Sequence, residues 1–160
     1  MKQWIAILLC LLLLTGCTGP FSSDEPHFYY LKNDISFSGD SSVIASEFFS
    51  SIDTSTDLLP IMEEYLKGPD SGSLHSPFPE GIRIFLAEQR EDTVILEFND
   101  ALAELSGMEL TLACACAAMT CLELTDAENV SIRSRGATLD GAAQITMNAD
   151  SLLLLDGSGQ

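Results

Sequence analysis

Apolar residues at Leu58, Ile61, Met62, Tyr65 and Leu66 recur at the spacing of one face of an amphipathic helix. Thr56 or Asp57 can cap its first free N–H groups, and Pro60 falls in the first turn, where no intrahelical donor is lost. Gly68 is placed for the left-handed residue that closes a helix, and Pro69 forbids continuation. The stretch Leu74-His75-Ser76-Pro77-Phe78-Pro79-Glu80-Gly81 is then stiffened by prolines into an extended approach to a strand. Alternation follows. Gly81 to Ala87 sets Ile82, Ile84 and Leu86 on one face, and Thr93 to Phe98 sets Val94, Leu96 and Phe98 on one face. The charged connector Glu88 to Asp92 suits an antiparallel hairpin, with Phe85 and Ile95 on the opposite face.

Ser106 and Glu109 have capping-box spacing and predict a helix running to about Leu124. Its stripe is Leu110, Ala113, Cys114, Ala117, Cys121 and Leu124, and the near absence of charge makes it the most buried helix expected. Upstream, His27 to Leu31 predicts the first strand, with Tyr29 and Tyr30 facing opposite sides. Asn33 to Ser42 predicts a loop. Val43 to Ile52 carries apolar residues spaced closer to a helix than to a strand, although short strands fit as well. Downstream, Asn129 to Arg133 predicts a strand with Val130 and Ile132 inward, Gly136 and Gly141 mark loops, and Leu152 to Leu155 is an edge strand or a last helical turn. The pattern as a whole predicts an α/β (α+β) domain: a small mixed β-sheet with two main helices packed on one face.

The N-terminus has a different logic. Lys2 precedes an apolar run from Trp4 to Leu14, eleven residues, shorter than the roughly 20 a spanning helix needs. The run ends in Leu14-Thr15-Gly16-Cys17, the pattern of a bacterial lipoprotein signal. Residues 1–16 are expected to leave as a signal peptide, with a diacylglyceryl thioether formed on Cys17. Two acyl chains hold stably, since each buried methylene contributes about 0.8 kcal/mol. Residues 17–26, rich in Gly, Pro, Ser and acids, then serve as a flexible tether, residues 27–156 form the domain and 157–160 fray.

Charge narrows the partners. The chain has 7 Lys+Arg against 24 Asp+Glu; loss of Lys2 with the signal takes the net charge from −17 to −18. Such a surface is repelled by nucleic acid and anionic lipid. It suits a basic protein partner or bound cations, or serves solubility alone.

Candidate chemistry is sparse. Cys114, Cys116 and Cys121 share one helix, and with Met119 they invite a soft-metal reading. In a regular helix, however, residues 114 and 116 point about 200° apart, and 114 and 121 lie about 10 Å apart along the axis, beyond disulfide reach. They are expected as small apolar core residues. His27 and His75 lack metal-ligand spacing. Glu63-Glu64, Asp92, Glu97 and Asp100 could supply acid–base pairs, with Glu97 and Asp100 the pair to test in a wall-active hydrolase. Asp24-Glu25 and Asp53 to Asp57 lack the twelve-residue calcium-loop pattern.

The order of pieces resembles a family. Tyr29-Tyr30-Leu31, Tyr65-Leu66-Lys67-Gly68-Pro69, Ser76-Pro77-Phe78-Pro79-Glu80-Gly81, Leu96-Glu97-Phe98-Asn99-Asp100-Ala101-Leu102, Thr120 to Leu124 and Val130-Ser131-Ile132 follow a lipoprotein signal in the order seen in GerMN domains of sporulation and spore-germination lipoproteins. The resemblance covers about His27 to Arg135, with Glu97 and Asn99 standing where the family often has aspartate and serine. It implies a fold similar to ring-building modules on the outer face of the cytoplasmic membrane, lipid-anchored and non-catalytic. It implies no cofactor, no metal and no catalytic residue, Cys17 as the one site residue, and an envelope or sporulation membrane protein or further copies as partners. The alternatives are the wall-active hydrolase and a soft-metal-binding lipoprotein.

Overall fold

Edge-to-edge pairing of the aromatic strand His27–Lys32 (β1) starts the fold, in a computed structural model that describes residues 26–34, 42–49 and 57–156. The signal peptide, Cys17, most of the tether, Thr56 and the tail 157–160 lie outside the described residues. Ile44–Phe48 (β2) pairs antiparallel with β1 along its whole length, and Leu74–His75 (β3) pairs with its far end, giving a three-stranded sheet in the order β2-β1-β3. The helical spacing read over Val43 to Ile52 therefore yields a strand at its start. Five residues alternating along β1 outweigh a short ambiguous period, because pairing partners are supplied from outside the segment.

A second sheet has four strands: Ile84–Arg90 (β4), Thr93–Phe98 (β5), Asn129–Ser134 (β6) and Ile145–Asn148 (β7), in the order β4-β5-β6-β7. Only the β5–β6 pair is parallel, and its crossover is the long helix Gly107–Leu124 (α2). Val94, Leu96, Phe98, Val130 and Ile132 are all buried on one face of this sheet, as the alternation predicts. Two details differ from the sequence reading. The hairpin strands run on to Arg90, leaving a two-residue turn, Glu91-Asp92, with Glu91 at φ 54. A bulge between Ile84 and Leu86 turns Phe85 outward and sends Ile84 into the core with Leu86 on the other side, so Ile82, Ile84 and Leu86 do not share a face.

Helix Leu58–Tyr65 (α1) lies against β4, burying Ile61, Met62 and Tyr65. It ends as expected, with Gly68 at φ +93. Asp57 takes the cap position but makes no side-chain capping bond. Pro60 occupies the third helical position and has no N–H for that side chain to bind. Ser106 likewise makes no side-chain cap, because Gly107 starts α2 in the left-handed region at φ 55. The Gly107 N–H instead donates to Asp140 Oδ2 at 2.8 Å, from the loop before β7.

Helix α2 packs on β1 from one sheet and on β6 and β7 from the other. It is apolar and long enough to cross a bilayer, yet Ala113 to Ala118 are buried without a break inside the domain. Small side chains on every face permit that double packing. The chain closes on the short helix Ala149–Asp156 (α3), which resolves the Leu152 to Leu155 alternatives as helix. A 3-10 turn, Asp100–Glu104, bridges β5 and α2. Through the interior runs an aromatic file. Phe49 stacks on Phe28, Phe28 meets Tyr65 edge-on, Tyr65 meets Phe78 edge-on, and Phe78 stacks on Phe98. The proline-stiffened segment thus delivers Phe78 as the link between the two sheets.

Candidate functional site

The side chains of α2 complete an edge of β1 that, among the described residues, no strand covers. Along β1, the N–H groups of Leu31 and Asn33 face the β3 side, where Asn33 N–H donates to Ser73 O at 2.9 Å. Nearer the N-terminus β3 is absent and the helix takes over. Tyr29 N–H donates to Thr120 Oγ1 at 3.1 Å, and His27 N–H to Glu123 Oε1 at 3.1 Å. Thr120 is fully buried. Glu123 also accepts from the Tyr29 hydroxyl, and His27 Nδ1 lies 2.5 Å from its Oε1. One carboxylate and one hydroxyl on successive turns of a helix therefore stand in for a missing strand. Burial and the Glu123 carboxylate push the Tyr29 phenol well above its usual range, so it remains a donor.

Two further tyrosines lock β1 to α1. Tyr30 OH donates to Tyr65 O at 3.0 Å, and Tyr65 OH donates to Tyr29 O at 2.9 Å. Both phenols are raised by burial and stay protonated.

The cysteines sit where helical geometry puts them. Cys114, Cys116 and Cys121 are free and buried, and desolvation raises Cys114 and Cys116 to about 12 and Cys121 further still. Cys121 Sγ–H donates to Met62 Sδ at 3.7 Å. Buried thiols raised this far pack as core residues and are poor nucleophiles, since attack needs the thiolate. Among the described residues, no three His, Cys, Asp or Glu side chains converge as a metal site. His75 Nδ1 lies 2.8 Å from Asn33 Oδ1 at the β1–β3 junction.

The carboxylates weighed for acid–base work are placed differently from one another. Glu97, 14% exposed, is gripped by Arg135 at 2.5 Å and Arg133 at 2.7 Å. The Arg135 hydrogen bond, opposed by partial burial and reinforced by both positive charges, holds its carboxyl below the usual range. Glu97 therefore has no proton to donate near neutral pH. Asp100 is exposed at the start of the 3-10 turn, Glu64 pairs with Lys67, and Asp92 accepts from the Thr93 hydroxyl. The role of Asn99 was not legible in the sequence. Its Oδ1 accepts from Arg83 N–H at 3.0 Å and its Nδ2 donates to Gly81 O at 2.9 Å, fixing the entry to β4.

Among the described residues, open grooves flank α1 at both ends. One of about 560 Å³ lies between the start of α1, β4 and the end of α2, with Leu58, Leu86 and Leu124 in its wall and Asp57 and Glu88 among its polar residues. The other, about 460 Å³, lies at the far end of α1 against Arg83 and Phe85.

These features define an α+β domain of two small sheets joined across a buried helix. No family model matches the sequence, and no curated protein does. By structure, the chain is similar to the tandem GerMN domains of the sporulation protein GerM from Bacillus subtilis, with a TM-score of 0.52 and 21% identity. That match covers 75% of this chain and 43% of the tandem-domain chain, so this chain spans less than half of its neighbour. A candidate lipoprotein from Clostridium perfringens is also similar, with a TM-score of 0.47 and 15% identity over 78% of this chain and 89% of that one. The domain has the GerMN fold.

Proposed function

We propose that this protein is a non-catalytic, membrane-tethered interaction module acting in sporulation, spore germination or cell-envelope assembly. Residues 1–16 direct export, an acyl-modified Cys17 anchors the chain to the outer face of the cytoplasmic membrane, residues 17–26 are the tether, and the domain from 27 to 156 docks a membrane or envelope protein. The lipid confines the search for that partner to the membrane surface. The observation that carries the reading is the GerMN fold shared with a sporulation protein, on a chain whose first seventeen residues have the lipoprotein signal pattern. Four of the side chains weighed for chemistry support it too: three buried thiols packed in the core, and Glu97 held between two arginines.

The test is Cys17→Ala in the producing cell. The variant is expected to fold, to leave the membrane fraction, and to lose both its function and its in-cell crosslink to a partner. Full activity of the unanchored protein would defeat the proposal. So would turnover of peptidoglycan that disappears when Glu97 and Asp100 are changed to their amides.

A further inference from the structure

The cations of this acidic chain are not scattered. Of the six Lys and Arg that follow residue 16, four gather around one exposed ring. Lys67, Arg83 and Phe85 line the same open groove together with the acidic Glu63, and Lys67 is already paired with Glu64. The Arg135 guanidinium lies 4.0 Å over the Phe85 ring centroid, and Arg135 and Arg133 share the Glu97 carboxylate. Two guanidiniums on one carboxylate leave a positive charge in surplus. Arg83, among the described residues, forms no ion pair. Arg135 keeps 58% of its side chain exposed, and Phe85, turned out by the bulge in β4, is 43% exposed. At physiological salt, charges farther than about 8 Å are largely screened, so a ligand on this face meets these groups rather than the net charge of −17.

We propose that this face docks an acidic peptide segment of a partner protein. Carboxylates of the segment pair with Arg83, Arg133 and Arg135, and an apolar side chain lies on Phe85 and Ile82. The inference rests on the interaction-module reading and gives its partner a chemistry. A peptide fits better than an anionic lipid surface or wall polymer for two reasons. The exposed ring offers apolar contact that a bare phosphate does not use, and an extended anionic surface would oppose the rest of the acidic domain at close range. Glu97 is then a built-in competitor, because it already accepts from Arg135 Nε at 2.6 Å, a donor an incoming carboxylate would take in its place.

The experiment measures anisotropy of a labelled alternating Glu-Tyr octapeptide against the full chain in detergent micelles, with Ser-Tyr and Lys-Tyr octapeptides as controls. Arg135→Glu and Arg83→Glu, both at exposed positions, should each weaken the Glu-Tyr peptide by about tenfold or more, while Glu97→Gln should tighten it about three- to tenfold. Circular dichroism confirms that each variant is folded. Equal binding of the three peptides, or no gain from folded Glu97→Gln, would overturn the inference. Preferential binding to phosphatidylglycerol vesicles, or self-association lost in Arg135→Glu, would reassign the face and overturn it equally. In cells, a partner crosslink lost in Arg135→Glu supports the inference. A crosslink that persists in Arg135→Glu sinks this inference and leaves the tethered-module reading standing, whereas no crosslink from the wild type defeats that reading first.

Discussion

Thr120→Val tests the hydroxyl by which α2 completes the edge of β1. Valine keeps the branched shape and nearly the volume of threonine, so the fully buried site stays filled while the acceptor for Tyr29 N–H is lost, together with the hydroxyl's contact to the Tyr65 hydroxyl. A buried donor left without a partner costs about 1–3 kcal/mol. The entropy of holding the residue is unchanged, and valine is no better in a helix than threonine, so little offsets that cost. For a domain of this size, the drop in Tm should be on the order of 4–12 °C. Chemical denaturation followed by far-UV circular dichroism reads the stability, and amide hydrogen exchange reads the bond itself. The Tyr29 amide should lose protection in Thr120→Val while amides of β5 and β6 exchange only as the global stability dictates. Thr120→Ser keeps the acceptor and removes one methyl, so Tyr29 should remain protected there. If Thr120→Val were as stable as wild type to within about 0.5 kcal/mol and Tyr29 stayed protected, the helix would not be holding the strand edge, and the account of that edge would be wrong.

Two further outcomes follow from the packing. In a chain with Cys10→Ala and Cys17→Ala the three remaining thiols should be inert to a disulfide reagent at pH 8 and should all react once denaturant unfolds the domain, since burial holds Cys114 and Cys116 near 12 and Cys121 higher; a thiol modified in the native state would contradict its placement in the core. Glu91→Gly should stabilise the domain by roughly 0.5–1 kcal/mol, as the left-handed φ of 54 strains any L side chain and the gain is only partly offset by glycine's greater freedom when unfolded; a lower denaturation midpoint would show that Glu91 contributes a contact beyond its backbone.

What the chain reveals by itself follows the distance over which each feature is decided. The end of α1 at Gly68-Pro69, the strand Thr93 to Phe98 and the span of α2 are settled by residues within a turn or two of one another, and all were legible in the sequence. Caps belong to the same local range, yet neither side-chain cap is made. The missing N–H of Pro60 could have been read in advance; the left-handed Gly107 and its bond to Asp140, more than thirty residues away, could not. β2 and β7 are strands because β1 and β6 offer them an edge, and nothing within four or five residues states that. The bulge at Phe85 is likewise a property of the β4–β5 pair.

The same reasoning explains why the candidate site was harder to see than the fold. Charge counts mark the chain as acidic and favour a basic partner, which is a statement about the average surface. The groups around Phe85 come from Lys67, Arg83, Glu97, Arg133 and Arg135, spread over nearly seventy residues and joined only when α1, β4, β5 and β6 come together. Phe85 is the extra residue of the bulge, between Ile84 turned inward and Leu86 turned to the other face. Simple alternation along β4 already places 85 on the face opposite Ile84 and Leu86, but it assigns the ring to no neighbour. Deleting Phe85, the extra residue, would restore regular pairing with Ile84 still opposite Phe98 and Leu86 still opposite Glu97. Both flanks of β4 would keep their facing, and the cation cluster would lose the ring on which Arg135 lies.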